Sequence, residues 1–438
     1  MTKFLTHKFK HYIQFLFFFL IALSIPAAAD ELALEEAVIS ALASNERIAA
    51  ARSNLRAAEE DRIGARSAYH PQINAVGTYG YNDIDQFNSS GSLQRDGKKM
   101  YGGIEVKQDL FTWGRNKANV TKSEAHINIA QHELTATQHE ITLETISAFL
   151  GTQAANETVE AYNKHVATLQ QLLKGSQSKF NLSLISSTEL ALVTSRHQQA
   201  LAQLSMAQAE LAKQRDDLSR LTHLNFTSLG NHDTMHLGLP ITVEDAIGAA
   251  FSNSPHYLKA AQEMAVAKAT LDATSAERYP ALSATGRWVK GRVGDLPTGD
   301  KEVGLSMSMP LYDGGMTSSK IRRAKHDLNR ARHNKESMGR RTEQDARSAF
   351  ITLNSSRFVS KSWTAALSAE EKSLRGIEKE IEASLEGLPY LLEAKDKMMM
   401  VRIQAIQTKV RAQLAEFELL LSTGEILKHF LSRDIRQE

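Results

Sequence analysis

The chain has 438 residues, carries a formal net charge of +2 and contains no cysteine. The absence of cysteine excludes a disulfide framework and any thiolate metal or nucleophile site. Residues 1–29 supply three lysines and no acid, so without them the balance changes from 52 basic and 50 acidic residues to 49 and 50. A nearly neutral protein offers no overall field for nucleic acid, and we exclude nucleic acid as a partner.

The first 29 residues have the pattern of a secretory signal peptide. Lys3, Lys8 and Lys10 precede an apolar run, Ile13–Ile25, and Ala27-Ala28-Ala29 follows it. A basic start, a short apolar middle and an A-x-A end predict export with cleavage after Ala29, and an uncleaved anchor is the alternative. No later apolar run reaches 18 residues, so a membrane role would have to use strands.

A helix and a pair of strands come next. Leu34–Ala68 is rich in Ala, Arg and Glu and should stop before Pro71, because the residue preceding a proline is driven out of the helical region. Residues 72–82 and 100–110 alternate apolar with polar side chains, which predicts two strands. The polar segment between them, Asp83–Lys99, is expected to be a loop.

A very long helix follows this hairpin. Residues 115–180 contain no proline and only two glycines, Gly151 and Gly175. At about 1.5 Å per residue such a helix is roughly 100 Å long and needs partners along its whole length. A polar turn and a further helix at 189–221 predict an antiparallel pair. The sparse apolar positions suit helices packed side by side in a sheet-like or barrel array with one wet face.

The second half of the chain repeats the first. Pro280 lies 209 positions after Pro71, and Leu311 lies 201 positions after Leu110. Each half reads helix, two strands, very long helix, turn and helix, which indicates an internal two-fold repeat. The predicted parts are a first repeat at 30–222, a linker at 223–240, a second repeat at 241–424 with strands 281–290 and 302–309, long helix 316–384 and helix 390–423, and a tail at 425–438.

The four strands have the length and the pattern of strands that cross a bilayer. Each is about nine or ten residues long, with one apolar and one polar face. Four strands cannot close a barrel, for which about eight is the minimum, so several copies of the chain would have to share one. The alternative is two surface hairpins on a soluble protein. The candidate lipid-facing residues are Ile73, Tyr79, Tyr81, Ile104, Val106, Leu282, Trp288, Val303, Leu305 and Met307.

Paired motifs at the strand ends carry a resemblance to a known family. The strand entries are Ala68-Tyr69-His70-Pro71-Gln72-Ile73 and Glu277-Arg278-Tyr279-Pro280-Ala281-Leu282, and the strand exits are Gln108-Asp109-Leu110-Phe111-Thr112-Trp113-Gly114 and Met309-Pro310-Leu311-Tyr312-Asp313-Gly314-Gly315. With these motifs in order, twice, behind a signal peptide, the chain resembles the TolC-type outer-membrane efflux proteins. The resemblance covers nearly all of Leu34–Gly424, and Pro71 and Pro280 match the strand-entry prolines of that family.

The resemblance implies a mainly α-helical protein with a β-barrel part. In that family a homotrimer joins twelve strands into one barrel in the lipid of the outer membrane, above a hollow tunnel of helices in the periplasm. The chain would then be a passive export duct for type I secretion or multidrug efflux. A periplasmic adaptor (membrane fusion protein) and an inner-membrane ABC or proton-driven transporter would be its partners, and no cofactor is implied.

The resemblance also points to residues at the far end of the helices. The first turn there, Phe180–Glu189, has Ser183 where a glycine is usual, and the second, Leu385–Pro389, has an unexpected proline. The implied adaptor contacts are Leu182, Ser183, Leu184, Gly387 and Leu388, and the implied gate acids are Glu189, Glu393 and Asp396. The alternative is that these acids are ordinary solvated residues of the helices. The repeat of 201 positions supports this alternative, because it pairs Glu189 with Tyr390 and not with a second acid.

Other patterns do not support an enzyme. No nucleophile, base and oxyanion donor assemble, and the metal and phosphate motifs fail in their spacing, so we predict no catalytic, metal or cofactor site. The basic run from Lys320 to Arg332 is interpreted as a wet helix face, with a headgroup-facing or lumen-lining role as the alternative. Two rival functions are a periplasmic coiled-coil adaptor without a barrel and a free-standing diffusion porin.

Overall fold

The computed structural model describes residues 29–88, 91–230, 237–294, 296–383 and 387–431. Most of the predicted signal peptide, the last residue of the second predicted long helix (384), part of the second predicted turn (385–386) and the end of the predicted tail lie outside these ranges. The elements in chain order are β1 (Ala29–Leu32), α1 (Leu34–Ser44), α2 (Glu46–Arg66), β2 (Gln72–Asn88), β3 (Gly91–Phe111), α3 (Arg115–Asn181), α4 (Ser187–Thr222), β4 (Phe226–Leu229), α5 (Val243–Asn253), α6 (Pro255–Ala276), β5 (Ala281–Val293), β6 (Leu296–Ser308), α7 (Met316–Ala383), α8 (Leu388–Ser422) and α9 (Lys428–Leu431).

The helices of the two halves correspond position by position. α5 and α6 begin 209 positions after α1 and α2, whereas α7 and α8 begin 201 positions after α3 and α4. The difference of eight residues arises between the start of the first strand and the start of the long helix, because the first hairpin is longer than the second. The internal repeat is therefore regular enough to transfer a contact from one half to the other.

The four long strands form one antiparallel sheet in the order β2-β3-β5-β6, so β2 and β6 are its edges. Each hairpin is longer than predicted, and the prediction of a loop at Asp83–Lys99 is wrong. The described residues of this segment, 83–88 and 91–99, continue the ladder, with Asp85 opposite Gln94, because backbone pairing in a hairpin does not require apolar side chains. In the second hairpin β5 continues to Val293 and β6 already begins at Leu296.

Each predicted entry helix is broken into two. The break between α1 and α2 falls at Asn45, which has an extended backbone and accepts a hydrogen bond from the Arg47 amide. The break between α5 and α6 falls at Ser254, also extended, and Pro255 begins the next helix. Asn and Ser favour N-cap positions and proline favours the first helical position. These signals were present in the sequence, but the long helical pattern on both sides of them hid the breaks.

The helices pack side by side in one layer. Near the sheet the neighbours run α2-α3-α6-α7, and at the far end they run α4-α3-α8-α7. The 67 residues of α3 and the 68 residues of α7 each make a rod of about 100 Å. None of the helices within the described residues has an apolar stretch that could span a bilayer.

The largest apolar core lies about halfway along the array. Ile146 and Phe149 of α3, Leu218 of α4 and Phe417 of α8 are buried in it together with Leu32. β1 pairs in parallel with β4 beside this core. The linker predicted as irregular, 223–240, therefore contains a strand. The four residues of β4 are too few to show the alternation of apolar and polar side chains that predicts a strand.

Candidate channel surfaces: the sheet faces and the helical tip

One face of the sheet holds all ten candidate lipid-facing residues. Strand register decides this, because residues directly opposite each other share a face. Ile73 lies opposite Val106, Val106 opposite Gly286 and Gly286 opposite Val303, and the other candidates alternate in phase with this row. Eight of the ten are exposed in the single chain, and Val106 and Leu282 are half-buried.

The other face of the sheet is polar and charged. Glu105 of β3 and Arg287 of β5 lie opposite each other, and the carboxylate oxygen of Glu105 is 3.3 Å from Nε of Arg287. Asn74 and Glu302 continue the same row on the two edge strands. A sheet with one apolar and one ionic face suits a wall between lipid and water.

An aromatic cluster marks the boundary between the sheet and the helices. The rings of Phe111 and Trp113 meet edge to face with their centroids 5.1 Å apart, and Trp113 stacks on Tyr279 at 5.2 Å. Trp113 has a left-handed backbone (φ 51°), which brings its ring back beside the strand end. Aromatic side chains are enriched where a membrane protein meets the headgroup region. The sequence motif contained these rings, but it did not show that they touch.

The candidate strand-entry prolines stand one residue before their strands. Pro71 precedes Gln72, the first residue of β2, and Pro280 precedes Ala281, the first residue of β5. Each proline ends a helical segment and begins an extended one, because it has no amide hydrogen and fixes its own φ. The two positions are equivalent in the two repeats.

The first tip turn is tight and exposes two leucines. Ser183 has a left-handed backbone (φ 59°), and its amide donates to the Phe180 carbonyl at 2.8 Å. Leu182 is 71% exposed and Leu184 is 59% exposed. Ser183 stands where a glycine would carry no steric cost. Two apolar side chains therefore project from the end of the α3–α4 pair.

Glu189, one of the candidate gate acids, has a local role in the structure. Its carboxylate accepts hydrogen bonds from the amide (2.8 Å) and the hydroxyl (2.9 Å) of Ser186, and the Ser186 hydroxyl accepts from the Glu189 amide at 3.1 Å. This is a complete capping box at the start of α4. The backbone hydrogen bond from Ser186, followed by that of its hydroxyl, lowers the pKa of Glu189.

Asp396 is the candidate gate acid that joins helices. Its carboxylate lies 3.2 Å from Nε of Arg196 on α4 and 3.6 Å from Nε2 of His165 on α3. Burial lowers the pKa of His165, and the charge of Asp396 opposes that shift. Asp396 therefore ties α8 to both helices of the first pair. The third candidate, Glu393, is exposed.

The second tip turn is only partly described. Gly387 has a left-handed backbone (φ 134°), and a Cβ at this position would lie 3.2 Å from Ile381. Leu388 begins α8 and packs beside Leu169, Val193 and Leu392. Leu388 is half-buried in this apolar cluster, so it offers less surface to a partner than Leu182 or Leu184 does.

A ladder of ion pairs joins α7 to α8 above this turn. Glu370 lies 3.1 Å from Lys397, Glu371 lies 2.9 Å from Arg402, and Glu378 bonds the buried Lys395. These pairs could not be predicted from the sequence. Their signal was an acidic stretch and a basic stretch on two antiparallel helices, which only a known register can match.

A buried histidine lies near the middle of the array. His139 on α3 is 4% exposed, and it lines a cleft of about 500 Å³ together with His256 at the first turn of α6. Burial, and to a lesser degree the charge of His256, lower the pKa of His139 to about 4. Within the described ranges no three His, Asp or Glu side chains are placed to hold a metal ion.

Comparison with known proteins identifies the class. A model of the outer membrane efflux protein family matches residues 38–222 and 246–425, which is most of the chain, and the two segments fall in the two repeats. The chain belongs to the outer membrane efflux protein family. It is an outer-membrane channel protein with a large periplasmic helical part. The predicted family, fold class and localisation are confirmed, and the channel is favoured over the soluble adaptor.

Individual relatives are distant in sequence and similar in fold. The outer membrane efflux protein BepC of Brucella suis is 21% identical, over 92% of this chain and 88% of its own length. The outer membrane protein TolC of Escherichia coli is 23% identical, over 76% of this chain and 70% of its own. The solved CmeC outer membrane channel of Campylobacter jejuni superposes with a TM-score of 0.80 at 14% identity, covering 92% of this chain and 88% of that one. The open-state MtrE channel of Neisseria gonorrhoeae gives 0.71 at 16% identity, covering 90% and 89%.

Proposed function

We propose that three copies of this chain form a passive export duct. The observation that supports it best is the sheet, which has one apolar face and two open edges, β2 and β6. In lipid each unpaired backbone group costs several kcal/mol, so an open edge must be paired. Two chains would give eight strands and three would give twelve, and the family resemblance favours three.

The helices support a continuous path below the barrel. Both long helices start soon after a strand end, with three residues between Phe111 and α3 and seven between Ser308 and α7. The wall of the barrel therefore continues directly into the helical layer. A closed ring of three such layers makes a tunnel about 100 Å long.

The tip supports docking to other proteins. The exposed Leu182 and Leu184 form an apolar end on the first helix pair, and exposed apolar groups that project from a turn are typical of contact sites. A periplasmic adaptor would hold this end, and an inner-membrane ABC or proton-driven transporter would supply cargo and energy. The proposed process is type I secretion or multidrug efflux, in which this chain does no chemistry of its own.

Fractionation and conductance test this function together. The mature protein should be recovered from the outer-membrane fraction as a heat-labile oligomer, and it should give a single conductance in a planar bilayer. Export should also require an adaptor and a transporter in the same cells. Recovery in the soluble periplasmic fraction would support the adaptor rival, and transport without any inner-membrane partner would support the porin rival.

A further inference from the structure

We propose that neighbouring copies meet in one register, fixed by the internal repeat, in which an acidic cluster on α2 faces a basic cluster on α7 of the next copy. This inference rests on the proposed function, because it requires more than one copy, and it goes further by naming the contact residues. The acidic edge cluster is Glu59, Glu60 and Asp61, and the basic edge cluster is Arg322, Arg323 and Lys325.

The two edges of the helical layer determine which helices must meet. In one chain α2 lies at one edge and α7 at the other, with α3 and α6 between them. The strands show the same arrangement, with β2 at one edge of the sheet and β6 at the other. A closed ring therefore places α7 of one copy against α2 of the next.

The junction between α3 and α6 shows how such helices pack. Here the long helix of the first repeat meets the entry helix of the second repeat. The Asn128 side chain donates to Oε1 of Gln262 at 3.4 Å, and Lys259 lies 2.8 Å from Glu133. The residue numbers rise on one helix as they fall on the other, so the two helices are antiparallel.

The repeat transfers this junction to the contact between copies. A shift of 201 positions carries Asn128 to Asn329 on α7, and a shift of 209 positions carries Gln262 back to Ser53 on α2. Asn329 of one copy should thus lie opposite Ser53 of the next. Two helical turns nearer the sheet, seven residues along each helix, Arg322 then lies opposite Glu60.

Five of the six charges in these two clusters are unpaired among the described residues. All three residues of the acidic edge cluster are exposed, as are Arg322 and Lys325. None of these five makes an ion pair in the part of the chain that the structure describes. Arg323 is 3.9 Å from Asp327, a contact too long for a hydrogen bond. Glu60 and Arg322, which the transferred register places opposite each other, are both solvent-facing in the single chain and opposite in charge. The remaining members of the two clusters add charge of the same sign on either side of this pair.

The same transfer brings two exposed residues together farther from the sheet. Glu157 of α3 lies 3.6 Å from Lys409 of α8, and a shift of 201 positions carries this pair to Phe358 on α7 and Gln208 on α4. Phe358 is 72% exposed in the single chain, and Gln208 is exposed as well. This lower pair is independent of the charges above it.

The clusters also disfavour the wrong register. Arg56 lies one turn from Glu60 on α2. A slip of one turn in that direction would place Arg56 against the basic edge cluster instead of the acids. A single exposed ion pair contributes little to stability, but a repulsion in the wrong register adds specificity. We infer that the clusters align the copies rather than supply most of the binding energy.

Site-directed crosslinking tests the register directly. The natural chain has no cysteine, so a double variant Glu60→Cys with Arg322→Cys carries the only thiols. These residues are at opposite edges of the single chain, and a short bis-maleimide should therefore join different copies. We expect covalent dimers and trimers on a denaturing gel. The control is Glu60→Cys with His333→Cys, which moves the second thiol by eleven residues, or about 16 Å, and should stay monomeric.

The outcomes separate this proposal from the proposed function. Native mass spectrometry of the natural chain and of the uncrosslinked variants reports whether trimers form. If the natural chain formed no trimers, that result would count against the proposed duct. Intact trimers without the Glu60–Arg322 crosslink, or with an equal yield from the control, would overturn the register alone. Gln208→Cys with Phe358→Cys should crosslink as well. Charge reversal by Glu60→Lys should lower the melting temperature of the trimer, and adding Arg322→Glu should restore part of that loss.

Discussion

Leu305 on β6 lies directly opposite Ala284 on β5, on the sheet face that also holds Trp288, whereas Ser306 lies on the face of the Glu105–Arg287 ion pair. Replacing Leu305 by Arg would place a charge on the apolar face. Such a charge costs about 2–4 kcal/mol near the middle of a bilayer and less near its borders. We expect the Leu305→Arg variant to lose most of its heat-labile oligomer in outer-membrane extracts.

Ser306→Arg is the matched control for this variant. It adds the same side chain one residue farther along β6, on the ionic face. Assembly should persist, and only the conductance should change. Equal loss of assembly in the two variants would mean that the apolar face does not meet lipid.

The tip leucines should act in docking and not in folding. Leu182 and Leu184 are exposed, so replacing both by Ser removes little buried surface. We expect this double variant to assemble normally and to lose adaptor-dependent export in cells. Replacing Leu388, which packs against Leu169 and Leu392, by Ser should instead lower thermal stability. Export that is unaffected by the double variant would remove the first turn from the contact site.

Asp396 should hold the tip helices together. The variant Asp396→Asn would weaken the contacts with Arg196 and His165 that link three helices. Breaking a partly exposed charge pair typically costs on the order of 1 kcal/mol. We expect a lower melting temperature and a larger conductance, because α8 is less firmly attached. Glu393→Gln, at an exposed site three residues away, should change neither, and a larger conductance in this control would disconnect the effect from the Asp396 contacts.

The turn at Ser183 is strained and should be improved by glycine. Its left-handed backbone (φ 59°) costs a residue with a Cβ roughly 1 kcal/mol or more relative to glycine. Ser183→Gly should raise the melting temperature, whereas Ser183→Ala should not. No rise in the glycine variant would indicate that the hydrogen bonds of the turn offset the strain.

Protein stability should fall in mild acid because of His139. Its pKa is about 4 in the folded chain, against 6.5 for a free histidine. As the pH falls, His139 therefore takes up a proton in the unfolded chain before it does so in the folded chain. The contribution of His139 to the free energy of unfolding is complete above about pH 6.5, declines below it and is lost by about pH 4. The loss amounts to at most about 3 kcal/mol.

Thermal unfolding between pH 7.5 and 4 measures this dependence. The variant His139→Gln should have a flatter stability profile than the natural chain. The exposed His326 supplies the control, and His326→Gln should keep the natural slope. An unchanged slope in the His139 variant would assign the acid sensitivity to other groups.

The sequence was most informative where a long pattern repeats. The 201-position repeat and the lack of proline located α3 and α7 to within about one residue, and period-two alternation identified the apolar sheet face. Local effects were harder to foresee. The backbone breaks at Asn45 and Ser254 oppose strong helical patterns around them, and the polar continuation of β2 and β3 follows from backbone pairing, which has no signature in the sequence pattern.

The sequence identified candidate residues at the helical tip but not the contacts that they make. Chain order alone cannot reveal contacts between distant helices, so neither the link from Asp396 to Arg196 nor the α7–α8 ion pairs was visible. Glu189 appears in the sequence as a free tip acid, although Ser186 three residues before it is the signal of a capping box. The aromatic contact between Trp113 and Tyr279 joins residues that are far apart in the chain.

The mass of the purified, detergent-solubilised mature protein, measured by native mass spectrometry, is the most direct test of the duct. We expect a single species of three chains that dissociates on heating. A monodisperse, single-copy protein that stays soluble in water without detergent would contradict it.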